Sequence, residues 1–158
     1  MIKYKFAFLI VATVTLIANN LVAQELPNFN SNFENYKHKT QVINSQNKVI
    51  AEFKTVIANT PQKQQYGLMN LAKLPLDHAM LFVFLDEKIV TMWMKNTLIN
   101  LDMIFIDKNN KIINIAHNQQ NHSLSIISSQ KKVDKVLEIN ANLAKQLEIK
   151  VGDQVIWQ

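Results

Sequence analysis

The chain has 158 residues, enough for one domain with a core of its own but not for two full-sized ones. Its net charge of +5 is carried by lysine alone. Without arginine, bidentate clamping of phosphate or carboxylate is excluded, and the lysines are too scattered to make a nucleic-acid footprint. Cysteine is absent, which excludes disulfides, thiolate zinc sites and cysteine nucleophiles.

Lys3 and Lys5 precede the apolar run Phe6–Ala18, which Asn19 and Asn20 interrupt. The run is too short to span a bilayer, for which about 20 residues are needed. A basic start, a short apolar stretch and Leu21-Val-Ala23 predict a signal peptide over residues 1–23, cleaved after Ala23. An uncleaved anchor is the alternative, because Leu21 is larger than the usual residue there. Cleavage removes two lysines and no acid, so +5 less two leaves +3. The mature chain is expected in the periplasm or outside the cell, touching membrane only through an uncleaved leader.

Residues 24–38 are rich in Asn, with Pro27 and the isolated aromatics Phe29, Phe33 and Tyr36, and read as a flexible arm. Residues 39–158 read as a single β-rich domain. Lys39–Ile43 is a short strand. In Lys48–Ala58, Val49, Ala51, Phe53, Thr55 and Ile57 alternate with Glu52 and Lys54, the pattern of a half-buried strand. Thr60-Pro61 opens a helix to about Tyr66, with Thr60 as cap, Pro61 at the first position and Gly67 as exit. Ala79–Leu85 is an apolar run of strand length, turned by Asp86-Glu-Lys88, and Ile89–Met94 is the next strand. Leu101–Ile106 and Lys111–His117 pair across Asp107–Asn110, whose asparagines tolerate positive φ. Asn118–Val133 is a long polar loop with a formal glycosylation sequon, Asn121-His-Ser123. Lys135–Ile139 is a strand, Asn142–Leu147 a short helix, and Gln154–Trp157 the last strand. About eight strands and two short helices, mostly without long crossovers, predict a mainly-β fold: a small sandwich or a partly closed barrel.

The motifs Asn59-Thr-Pro61, Gly67-Leu-Met69, Leu74-Pro75, Met80-Leu-Phe-Val-Phe84, Trp93-Met-Lys-Asn-Thr97, Leu101-Asp102, Phe105-Ile-Asp107, Val136-Leu-Glu138 and Gly152-Asp153 resemble domain-of-unknown-function family 192. The resemblance covers about residues 49–157. It implies a jelly-roll-like β fold, no known cofactor and no firmly assigned activity. Asn59 stands where the family usually has Asp, and Leu71 about where it has Arg. Asn100 replaces a common Pro, Asn142 replaces a Gly, and the 118–133 loop lacks the Cys pair of many members. The joint loss of Asp and Arg fits a structural ion pair, since losing only one partner is what costs several kcal/mol.

Met92–Asp107 holds the residues of chemical interest. Trp93, Lys95, Asn96 and Asp102 are the candidate ligand-binding residues. On a strand, Trp93 and Lys95 share a face and could line a shallow pocket for an anionic or sugar-like ligand, with Asn96 donating. The simpler account is structural: Asn96 serves the turn, Lys95 pairs with Asp102, and Trp93 is a core residue worth about 4–6 kcal/mol of gross burial. An enzyme would use Lys95 as base or Schiff-base amine with Asp102 as acid or base. No Ser–His–Asp order or carboxylate pair supports catalysis, so a non-catalytic binding or interaction module is expected, for an unknown small ligand or an envelope protein. No cofactor is expected. Met92 and Met94 are the residues a Cu(I) site would use, although methionine also fills core gaps.

Overall fold

The computed structural model describes residues 29–158. The expected signal peptide, residues 1–23, lies outside them. Seven strands form one sheet: β1 (His38–Ile43), β2 (Val49–Ala58), β3 (His78–Met92), β4 (Leu101–Ile106), β5 (Ile112–Gln119), β6 (Ile127–Asn140) and β7 (Gln154–Trp157), in the order β5-β4-β6-β3-β2-β1-β7. All neighbours are antiparallel except β2 and β3, which α1 (Pro61–Tyr66) and the following loop connect as a crossover. The second helix, α2 (Leu143–Gln146), joins β6 to β7.

The sheet curls until its edge strands meet at one end. Lys111 bridges Gln154, and Ile112 N donates to Asp153 O at 2.9 Å. The fold is therefore a partly closed barrel rather than a two-sheet sandwich. Side chains alternate across the strands, so each face builds its own core. Val42, Phe53, Leu81, Ile104, Leu137 and Val155 pack on the face enclosed by the curl. Val56, Met80, Phe82, Met103, Phe105 and Val136 pack on the other, under Leu68, Leu71, Leu74 and Met94. Burial on both faces explains why β4 is apolar at nearly every position.

Turns in this chain depend on asparagine. Asn47, Asn70, Asn96, Asn110, Asn118 and Asn142 all have positive φ, a conformation that only glycine adopts more readily. Helix α1 forms as expected, with the Thr60 side chain accepting from Lys63 N at 3.3 Å and Gly67 leaving at φ +52.

Three expectations are corrected. Asp86-Glu-Lys88 does not turn the chain: β3 runs on to Met92, and the polar residues sit in a break of register between Val83 and Lys88. Leu85, in that break, is fully exposed. Of the expected 118–133 loop, residues 118–119 belong to β5 and residues 127–133 to β6, where Ser129 Oγ accepts from Val90 N and donates to Lys131 O, so that polar residues serve an irregular ladder. Finally, residues 29–36, expected to be a loose arm, form a strap packed on the sheet. Phe29, Asn30 and Tyr36 are buried, and Asn30 Nδ2 donates to Gly67 O at 2.8 Å and Met69 O at 3.0 Å. Tyr36 packs against His78 with ring centroids 5.0 Å apart.

Candidate functional site

At the end of β3 the chain makes a sharp bend. Met94 is fully buried, which turns its neighbours Trp93 and Lys95 outward. Thr97 N donates to Met94 O, Asn96 takes φ +55, and Asn70 N donates to Asn96 O at 2.9 Å, so the bend is fastened to the loop that follows α1. Trp93 is not a core residue: it is 47% exposed. The Lys95 ammonium lies 5.3 Å from its ring centroid, a cation–π contact that holds the long side chain over the indole.

Trp93 and Lys95 form the rim of a cleft of about 80 Å³. Helix α1 and its exit supply one wall through Gln64, Tyr66 and Leu68, and Phe82, Met92 and Thr97 supply the rest. Gln64 is held in place by donating to Val83 O at 2.7 Å. Gly67 has a packing role as well as a conformational one, since a Cβ there would come within 3.3 Å of the Phe82 ring.

Glu138 of β6 lies at the bottom of the cleft. It is 4% exposed and lies between Met80 of β3 and Met103 of β4 in the ladder. It has no hydrogen-bond or ion-pair partner among the described residues. Burial alone pushes its carboxyl up to about 8, so at neutral pH it is largely a neutral acid. Burial, with the charge of Glu138 second, also pushes the Tyr36 phenol up, and that phenol donates to Asn30 O at 2.8 Å. Glu138 is absent from the candidates drawn from the sequence. The signal was there: one acid inside Val136-Leu-Glu-Ile139, a strand buried on both faces.

The structure separates the expected pair Lys95 and Asp102. Met103 shares its face of the sheet with Glu138, so Asp102, one residue before, points to the opposite face. No ion pair joins it to Lys95. Asp102 is fully buried and accepts from Asn118 N at 2.7 Å, Asn142 N at 3.1 Å and Ala144 N at 3.0 Å. It ties the end of β5 to the start of α2, whose own cap residue Asn142 contributes no side-chain bond. The Nδ1 of His117, 4.0 Å from the Asp102 carboxylate, is buried without a hydrogen-bond partner. Asn96, also a candidate, is exposed at the bend and does not line the cleft. Met92 lines the cleft, while Met94 lies in the apolar cluster with Met80 and Met103. Among the described residues no group of three or more His, Asp or Glu is placed to hold a metal ion.

A wider hollow, lined by Asn44, Lys48, Gln146, Lys150 and Asp153, is polar and open. Its buried acid, Asp153, already accepts from Lys150 N at 2.8 Å. The cleft beneath Trp93 is thus distinguished by its unpartnered acid.

The family model of domain-of-unknown-function family 192, described as "Uncharacterized ACR", matches residues 42–157. The chain belongs to this family. A solved structure from Sinorhizobium meliloti 1021, provisionally described as a transcription regulator, is 35% identical. It aligns with a TM-score of 0.74 over 76% of this chain and 92% of its own. A protein of unknown function from Novosphingobium aromaticivorans DSM 12444 is 33% identical, with a TM-score of 0.72 over 75% of this chain and 84% of its own. No curated protein matches the chain. Family 192 membership thus fixes the fold and leaves the activity to be argued from the site.

Proposed function

We propose that this family 192 member is an exported, non-catalytic module that binds a small anionic or sugar-like ligand in the cleft beneath Trp93 and Lys95. Export rests on the basic and apolar leader of residues 1–23. Ligand binding rests on one observation above all: a half-exposed Trp93, with the Lys95 ammonium 5.3 Å from its ring, borders a cleft lined by a buried acid that has no partner among the described residues. A folded chain gains nothing from exposing a large indole or burying an unpaired carboxyl, and both features become useful when a ligand covers one and meets the other. DNA binding, suggested by the description of the Sinorhizobium protein, draws no support from this chain. Its lysines are scattered, and the described α-helices, of six and four residues, offer no recognition helix.

The test is a thermal-shift and calorimetric screen of the purified chain against sugars, sugar acids and small organic anions. A ligand of this site raises the unfolding temperature by mass action. Trp93→Ala and Lys95→Ala should each weaken its binding about tenfold or more, about 1.4 kcal/mol, while leaving the ligand-free melting temperature within a few degrees. Binding that survives both changes would place the ligand elsewhere.

A further inference from the structure

Glu138 gives the cleft its chemistry. A cleft of about 80 Å³ admits several waters but falls well short of the 300–1,000 Å³ that encloses a whole metabolite, so only one end of a ligand enters. Among the lining residues Leu68, Phe82 and Glu138 are buried, so the acid is flanked there by apolar side chains. An entering methyl group would leave the acid unpaired. An entering ammonium would have to pass Lys95 and then form a buried ion pair, desolvating both charges. A hydroxyl avoids both penalties: it accepts the carboxyl O–H, donates to the carboxyl C=O and buries no charge.

We infer that the cleft recognises the alcohol end of a hydroxy acid, with Glu138 at the floor hydrogen-bonding the hydroxyl and Lys95 at the mouth meeting the acid end. This rests on the reading of the cleft as a ligand site. The titratable and charged groups around Glu138 are few. Tyr36 comes from the strap, Tyr66 from α1 and Lys95 from the bend, while β3 and β4 present Met80 and Met103. Among the described residues none supplies a fixed cation beside Glu138, so Glu138 is the group that sets how recognition changes with pH.

The test uses calorimetry on the full chain with carboxylates of three to six carbons bearing a terminal hydroxyl, methyl or amino group. At pH 6 the best hydroxy acid should bind at least about tenfold tighter than its methyl and amino counterparts, the usual scale for a buried hydrogen-bonding site that loses its partner. Between pH 7 and 9 the amino compound should gain on the hydroxy compound, as the floor becomes a carboxylate. Glu138→Gln, which keeps a donor and an acceptor, should preserve the hydroxyl preference without that pH dependence, and Glu138→Leu should abolish it. Equal binding of hydroxy and methyl acids that depends on Lys95 would overturn the hydroxyl assignment and leave the cleft as a site. Tightest binding of the amino compound at pH 6 would do the same. Binding by no member of the series would overturn the hydroxy-acid assignment, and a blank in the wider screen of sugars and anions would overturn the reading of the cleft as a site. The wild-type measurements decide the matter even if a Glu138 variant fails to fold.

Discussion

Asp102 and Glu138 are both buried acids, yet the chain treats them oppositely. Asp102 receives three backbone N–H donors, and a carboxylate so placed organises structure. Glu138 receives none from the described residues. Asp102→Asn keeps the shape but gives up the charge and turns one acceptor into a donor facing donors. It should lower stability by about 2–4 kcal/mol in urea unfolding, with ligand binding at the cleft unchanged wherever the chain is folded. Retention of stability but loss of binding would instead return Asp102 to the site. Sequence alone could not tell these acids apart. Asp102 stood next to the Lys95 motif and drew attention, whereas Glu138 sat in a strand whose apolar neighbours gave no hint of a cleft. What separates them is which face each side chain takes, and that depends on the register of β6 against both β3 and β4.

At the scale of elements, the local signals were legible where one element served one purpose. The Thr60-Pro61 start and Gly67 exit of α1, the alternation of Ala51, Phe53 and Thr55, and the Asp107–Asn110 hairpin all appear where the residues place them. The misjudged elements were those whose polar residues hydrogen-bond within a strand. Asp86–Lys88 and Ser128–Lys131 look like turn and loop, but both lie within the irregular β3–β6 ladder, where Lys88 pairs with Val133 and Thr91 with Ser128. The strap was misjudged for a different reason: Phe29, Phe33 and Tyr36 fit neither a helical nor a strand period, and only the sheet they cover makes sense of them. Asn30 fastens the strap to the Gly67 exit that borders the cleft. Phe29→Ala should cost about 3 kcal/mol, and Asn30→Ala about 1–3 kcal/mol, by leaving the Gly67 and Met69 carbonyls without their donor. Urea unfolding measures both. Values near zero would mean that the strap contributes little to the fold.

Over the whole molecule, the curl of the sheet was legible only as a choice between sandwich and partly closed barrel. Composition and strand count do not reveal that β7 meets the start of β5; that contact is made by residues more than 40 positions apart. Once closed, the barrel has two cores, and the unpaired acid lies in the outer one, beneath the strap and α1. This has a consequence for stability. The folded chain holds the Glu138 proton up to about pH 8, whereas the unfolded chain releases it near 4.5. Between those values unfolding releases a proton, so rising pH favours the unfolded state. The pH-dependent part of its cost is absent below about pH 4.5 and reaches its full size, on the order of a few kcal/mol, above pH 8. Glu52, held by Lys39 and Gln41, and Asp77, held by His78, have lowered values and act in the opposite sense, losing their contribution as pH falls through their folded range. Stability should therefore be greatest in mildly acidic solution. All of this depends on Glu138 keeping its proton at the base of the cleft. A carbon-detected NMR titration of its side-chain carboxyl in the folded, ligand-free chain tests that directly: a midpoint near pH 8 is predicted, and a midpoint near 4.5 would contradict it.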